Sequence, residues 1–338
     1  MSRVITFGEL MLRLQPCGYK RLVQAENLEA TFGGAEANVA VALASLGIDA
    51  GFVTRLPGHE MGQAAVNSLR RYGVDTQNIV RGGNRVGIYY NEKGADLRGG
   101  VCIYDRAGSA IAEATAQDFD WNRIFDGAEW FHFTGITPAL GEELPGICID
   151  ACRCAKEKGV TVSFDLNYRA KLWNVESARA VLGDICRYAD IIIANVGQAN
   201  DILELGVEGD PCDSDEVCRE VAARLCRKFG SRRVALTVRK SHSAFDNRFG
   251  ALLYDAESGE CVFSRRYELH IVDRIGGGDA FAGGLIYALM SGMQPSAAVE
   301  FAAAASALKH SVEGDFNFVS AAEVHSLSDG KDKGQVKR

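Results

Sequence analysis

The sequence predicts an α/β fold in which a mostly parallel sheet is covered by helices on both faces. Three observations carry this. Short apolar, strand-like runs alternate with helical stretches long enough to cross over a sheet. One hairpin-like segment, residues 85–105, interrupts that alternation. The 338 residues, 47% of them hydrophobic, can bury a large core, as one big α/β domain or as two domains.

Residues 4–8 read as a first buried strand. Residues 15–31 are polar with a few apolar positions and are expected to hold short strands of a separate sheet. Residues 36–46 are expected to form a helix, because Val39, Leu43 and Leu46 share a face and Gly47 supplies the stop. A strand at 50–54 and a helix at 62–72, closed by Gly73, follow. Residues 86–90 and 100–104 are β-rich runs flanking the turn-prone stretch 91–99, so a hairpin is expected there, standing off the main domain as a flap or lid. The alternation then resumes. Strands are expected at 129–133, 160–165, 191–194 and 233–238. The helices between them are expected at 145–158, 177–188 and in segments up to residue 229. Residues 250–254 and 261–267 suit an antiparallel pair, and a last strand is expected to run into Asp273. Two apolar helices are expected near 280–290 and 296–309. The α/β domain thus spans 1–326, with a β lid from about 12–33 and 85–108, and a polar tail covers 327–338.

Charge and composition exclude several function classes. With 37 basic and 44 acidic residues the formal net charge is -7, so the broad positive field of a nucleic-acid binder is missing. No apolar run is long enough to span a bilayer, and the stretch opening at Val4 is too short and too polar-flanked for a signal peptide. None of the ten cysteines forms a Cys-x-x-Cys pair or a zinc-like cluster. Cys148 and Cys152, four apart on an expected helix, read as buried filler in a reducing compartment, and the expected location is the cytoplasm. His132 reads as a strand or core residue.

The most informative segment runs from Asp273 through Gly276, Gly277, Gly278 and Asp279 to Gly284. A strand ends, three glycines follow and an apolar helix begins. The glycine N–H groups can converge on an anion, and the helix N-terminus adds partial positive charge. A phosphoryl group in flight is the kind of anion such a nest suits. Asp279 is placed to accept the proton of an attacking hydroxyl, and the helix end should keep it ionised. Asp273 could help orient metal or water. Taken alone, the same residues also describe a glycine turn followed by an aspartate cap.

Context decides between these. The pattern Asp273-x-x-Gly-x-Gly-Asp279-Ala-Phe-x-x-Gly resembles the C-terminal signature of the ribokinase-like (PfkB) carbohydrate kinases. Gly33-Gly34, followed by Asn38-x-Ala40, resembles that family's first signature. The resemblance covers roughly residues 3–320. It implies a ribokinase-like fold with a small β-sheet lid, Asp279 as catalytic base, an anion hole in the glycine loop, and Gly33, Gly34 and Asn38 at the sugar. It also implies ATP and Mg²⁺, room for an activating monovalent cation, and a homodimer or larger homo-oligomer paired through the lid.

Further stretches resemble the 2-keto-3-deoxygluconate kinase branch. Asp165-x-Asn167-x-Arg169 leaves the sheet where α/β proteins bind ligands. Tyr89, Tyr104 and Arg106 match flap positions, 135–140 reads Gly-Ile-Thr-Pro-Ala-Leu, and Gly314-Asp315 matches a pair that closes over substrate. The implied substrate is a keto sugar acid phosphorylated at its terminal hydroxyl. Arg169 can grip its carboxylate through two parallel hydrogen bonds, with Arg106 as a second cation. A neutral-sugar kinase of fructokinase or ribokinase type, or a sugar binder without turnover, are the alternatives.

Two departures from the pattern fall on the nucleotide side. The usual Asn-x-x-Glu, linked to Mg²⁺, stands here as Asn195-Val196-Gly197-Gln198, and Gln198 attracts Mg²⁺ less strongly than a glutamate would. The usual Thr-x-Gly-x-x-Gly is replaced by Thr237-Val238-Arg239-Lys240-Ser241, so Arg239 or Lys240 is left to meet phosphates.

Overall fold

The structure, a computed structural model, describes residues 3–331. The chain enters as β1 (Val4–Phe7) and at once leaves for the lid strands β2 (Met11–Gln15) and β3 (Glu29–Gly33). It returns through α1 (Ala35–Ser45), β4 (Ala50–Leu56), α2 (Glu60–Arg70) and β5 (Ile79–Arg81), then adds the lid hairpin β6 (Ile88–Glu92) and β7 (Val101–Asp105). A short helix α3 (Trp121–Ile124) precedes β8 (Trp130–Thr134), α4 (Leu144–Glu157), β9 (Thr161–Asp165), α5 (Val175–Cys186) and β10 (Ile191–Asn195). Next come α6 (Val196–Ile202), α7 (Asp215–Phe229), β11 (Arg233–Ser241), β12 (Asp246–Asp255), β13 (Cys261–Phe263) and β14 (Tyr267–His270). The helices α8 (Gly277–Met290), α9 (Pro295–Lys309) and α10 (Ala321–Ser328) close the chain.

The central sheet has ten strands in the order β13-β12-β11-β10-β9-β8-β1-β4-β5, with β14 beside β12. From β5 to β11 every pairing is parallel, and β12, β13 and β14 add an antiparallel edge. Runs such as Ile191–Asn195 carry apolar residues on both faces because helices cover both. One core lies between the sheet and α3 to α7, and the other between the sheet and α1, α2, α8, α9 and α10. Cys148 and Cys152 are fully buried on α4, as cysteine filler should be, and all ten cysteines are free. His132 is also fully buried, with Nδ1 on Ser163 Oγ at 2.8 Å.

The four lid strands form their own sheet in the order β3-β2-β6-β7. The segments expected for the lid thus come together, although its two N-terminal strands are Met11–Gln15 and Glu29–Gly33, which only overlap the expected stretch 15–31. Several expected boundaries shift. The last strand stops at His270 rather than reaching Asp273. The antiparallel partner of β12 breaks at 264–266 into β13 and β14. The tail expected from 327 onward begins inside α10, whose Leu327 and Ser328 carbonyls accept from Arg265 Nη2 at 2.9 and 2.6 Å. The remainder of that tail, 332–338, lies outside the described residues. Among the described residues no helix is long and apolar enough to cross a membrane.

Candidate active site

At the C-terminal ends of β1, β8, β9, β10 and β11, below the lid, lies a cavity of about 740 Å³. That edge of a parallel sheet, where the chain departs in both directions from β1, is the usual ligand position of such folds.

Its floor is the meeting of two helix N-termini. Gly34 caps α1 and Gly276 caps α8. Asn38, in the first turn of α1, receives the Gly34 N–H on Oδ1 at 3.2 Å and donates from Nδ2 to Asp279 Oδ2 at 2.6 Å. Small residues let the two helices approach this closely: a methyl group on Gly283 would touch Ala42 Cβ at 3.0 Å. Asp279 is therefore held by a neutral amide rather than by a cation. The helix end was expected to keep it ionised, but burial dominates and pushes its carboxyl up to about 6, partly offset by Asn38 and by the charge of Arg169. Asp165 is raised to about 7 by burial and by the nearby Asp279 charge. Glu36, on α1, is raised to about 7 by burial although Thr137 and Thr134 donate to it.

Above this floor stands the glycine nest. Gly276 has φ +82°, a left-handed conformation, and a methyl group there would run into the Asp315 carbonyl. Gly277 is shut in by the His310 ring, and Gly278 faces open space. The first N–H groups of α8 have no partner within the helix and border the cavity.

On the lid side, the residues named from sequence are brought together but differently engaged. Tyr89 is 3% exposed, and its hydroxyl sits on both carboxylate oxygens of Asp315, at 2.6 and 2.7 Å. Tyr104 leans over Tyr89 with ring centroids 5.9 Å apart. Asp315 also receives Arg13 Nη1 at 2.6 Å. The sugar-side group named as Asp315 is thus already clasped by Arg13 and Tyr89. Arg106 is paired with Glu9 of the same chain, its Nε at 2.7 Å from Glu9 Oε2, and lies over the Tyr104 ring. Gly33 does not line the cavity; it is buried against the Asp315 carboxylate. Asp273, expected to orient metal or water, is instead 3% exposed and committed to Arg13 Nη2 at 2.7 Å and to the Gly314 N–H at 3.0 Å.

Arg169 is the contrast. Asp165 Oδ1 accepts the Asn167 N–H at 3.2 Å, and Asn167 takes φ +33°. This side-chain turn, which asparagine tolerates, swings the chain off β9 and sets Arg169 in the cavity wall. Its exposed guanidinium makes no hydrogen bond or ion pair among the described residues.

On the other side, Asn195 caps α6, accepting from Gly197 N and Gln198 N at 3.1 and 3.4 Å, and donates to Thr237 O at 3.3 Å. Gln198 Nε2 reaches the Tyr168 carbonyl only at 3.5 Å. Thr237 Oγ1 is turned to the Ala194 carbonyl at 3.4 Å. Arg239 lines the cavity, whereas Lys240 leaves it and pairs with Asp213 at 2.9 Å. Among the described residues no group of three or more His, Cys, Asp or Glu side chains could hold a metal ion.

Sequence reasoning passed over Glu9, Arg13, Glu36, Arg274 and His310. Arg13 carried a signal: in Met11-Leu12-Arg13-Leu14-Gln15 the polar residues alternate, so they share one face of the strand.

A family model described as "pfkB family carbohydrate kinase" matches residues 1–321, and the chain belongs to that family of sugar kinases. A 2-dehydro-3-deoxygalactonokinase of Haloferax volcanii is 34% identical over 98% of this chain and 98% of its own. The crystal structure of a 2-dehydro-3-deoxygluconokinase from Thermotoga maritima is 50% identical, covers 98% of this chain and 100% of its own, and superposes with a TM-score of 0.94. A more distant E. coli structure, described as a putative ribokinase II in complex with ATP and Mg²⁺, shares the fold at 19% identity and a TM-score of 0.78, covering 98% of this chain and 100% of its own.

Proposed function

We propose that this kinase transfers the γ-phosphoryl group of ATP to the terminal hydroxyl of a keto sugar acid, 2-keto-3-deoxygluconate. The observation that carries this is the arrangement in one cavity of a carboxylate at a helix mouth and an unpaired guanidinium: Asp279 held by Asn38, and Arg169 free on the facing wall.

The sugar acid lies along the lid side, its carboxylate on Arg169, its chain against Gly34, Tyr89 and Tyr104, with Arg106 and Asp315 completing the wall. The terminal hydroxyl points at Asp279, which accepts its proton as the oxygen attacks. Unpaired N–H groups of Gly276, Gly277 and Gly278 receive the charge that builds on the transferring phosphoryl oxygens. ATP supplies that group and brings Mg²⁺ with it. The donors present fit a metal held through phosphates and water rather than in a protein cage, since Asn195 and Gln198 offer only amides. The nucleotide lies against Asn195, Thr237, Arg239, Gly276 and Gly278. Such chemistry belongs in the cytoplasm, where ATP and reduced thiols coexist.

The test is a coupled kinase assay with 2-keto-3-deoxygluconate, its galactonate epimer, fructose and ribose, run with and without potassium to read any monovalent-cation activation. Turnover of the keto acids with little of the neutral sugars is expected. Arg169→Ala should lower kcat/KM for the acids on the order of tenfold or more, the loss of a charged hydrogen-bond pair, and lower any neutral-sugar activity far less, through Asp279 alone. Equal loss on both substrate classes, or none, sinks the acid assignment. The name of the Haloferax relative makes the galactonate epimer the second reading.

A further inference from the structure

Arg239 and Arg274 both line the cavity beside the glycine nest, and neither has an acidic partner among the described residues. Arg239 Nη2 donates to His310 Nε2 at 3.0 Å, and its guanidinium lies 5.5 Å from the centroid of the Phe249 ring. His310 is 1% exposed, and its Nδ1 stands 2.6 Å from the Ser306 carbonyl. That carbonyl can only accept, so Nδ1 carries the proton and Nε2 presents a lone pair to the arginine. His310 is thus a neutral prop. It fixes where Arg239 points without cancelling its charge. Arg274, the residue after Asp273, has only Ser241 Oγ at 3.5 Å.

The other cations around the cavity are differently placed. Arg106 is paired with Glu9, Lys171 Nζ is bound to the Cys102 carbonyl at 3.0 Å, and Arg169 lies close enough to Asp165 and Asp279 to ease their ionisation. On the nest side, Arg274 lies close enough for its charge to act on Arg239, and among the described residues neither is paired with a carboxylate. Burial and the Arg274 charge both hold the Arg239 pKa down, to about 10. Two like charges brought together under partial burial are costly, and an anion spanning both removes the cost. Planar guanidiniums match phosphate oxygens in bidentate fashion.

We propose that Arg239, held by His310 and Phe249, and Arg274 form a clamp for the polyphosphate chain of the nucleotide, at the end of β11 where this chain lacks the usual glycine-rich run. The clamp rests on the kinase assignment for the same cavity and gives it a residue-level basis for holding the donor.

Isothermal titration of the whole protein with ADP, AMP, adenosine and inorganic tripolyphosphate tests it, together with the ATP and sugar-acid KM values. Arg239→Met and Arg274→Met should each weaken ADP and tripolyphosphate binding on the order of tenfold, raise KM for ATP similarly, and leave adenosine affinity and the sugar-acid KM unchanged. Arg239→Lys should recover part of the loss. Arg274 is exposed, so its variant also guards against a folding failure at Arg239. Parent-like ADP and tripolyphosphate affinity in Arg274→Met and Arg239→Met overturns the clamp while parent turnover leaves the kinase assignment standing. A parent that neither binds ADP nor turns over ATP overturns both.

Discussion

A base that works near neutral pH must be ionised yet not strongly stabilised as an ion, and Asp279 meets both demands because its only hydrogen-bond donor among the described residues is the Asn38 amide. Its pKa rises from an ordinary 3.8 to about 6, with burial the largest cause. Two outcomes follow from that shift. The rate should fall as pH drops through about 6, where the carboxylate takes up its proton, and Asp279→Asn should lose roughly 10²–10⁴-fold in kcat while still binding the sugar acid. Stability moves the other way. Between pH 3.8 and about 6 the folded chain holds more protons at this site than the unfolded chain, so stability declines as pH rises through that window. The ionised side chain therefore destabilises the neutral-pH protein, and Asp279→Asn should melt higher than the parent at pH 7.5, by about 2–4 °C. The gap should close near pH 4, and scanning calorimetry across that range reads it directly. An asparagine variant that melts lower at pH 7.5 would contradict the burial argument.

Among the secondary-structure elements, the pair α1 and α8 and the strand β2 do most to build the site. The helices were legible because their signals are local: Val39, Leu43 and Leu46 on one face, Gly47 as a stop, three glycines before Asp279. The signature residues Asn38 and Asp279 could be named from the chain, but not that they bond each other, since 241 positions separate them. The same limit hid the network around Arg13. Arg13 is 1% exposed, Asp273 3% and Asp315 5%, and Gln15 and Asn91 extend the chain of bonds into the lid. Its members come from β2, β6, the loop before α8 and the loop after α9, so no window of sequence contains them. Helix α10 was missed for another reason: Ser320 and Glu323 do form a capping box, but the short helix behind it is half polar, and its last two residues fall in the tail expected from 327. The Arg13 network ties the lid to the nest, and its charges are too buried to be left alone. Arg13→Met should cost on the order of 3–5 kcal/mol in urea unfolding, because two carboxylates lose their counter-charge. Adding Asp273→Asn to it should cost less than the sum of the two single losses. Additive losses would mean that the contacts are incidental.

At the scale of the whole molecule, the lid sheet has two unlike faces. Arg13, Tyr89 and Tyr104 stand in register on one face of the lid, and Tyr89 and Tyr104 line the cavity. Strand alternation then puts Leu12, Leu14, Ile88, Tyr90 and Ile103 on the outer face, with Phe32 and Ala30 opposite Leu12 and Leu14. That face is largely apolar, with Asp105 and Glu92 at its ends, yet each of these apolar side chains is half-buried or exposed in the single chain, Ile103 at 51%. A flat apolar face of this kind needs a cover, and a second copy of the same face related by a two-fold axis supplies one that is self-complementary. The protein is therefore expected to be a dimer through its lids in solution. Since the inner face of the same strands carries Tyr89 and Tyr104, dimer formation should also steady the sugar side. Leu14→Asp or Ile103→Asp should shift the chain to a monomer by light scattering and raise KM for the sugar acid more than KM for ATP. A monomeric parent, or a dimer that ignores both substitutions, would place the partner surface elsewhere.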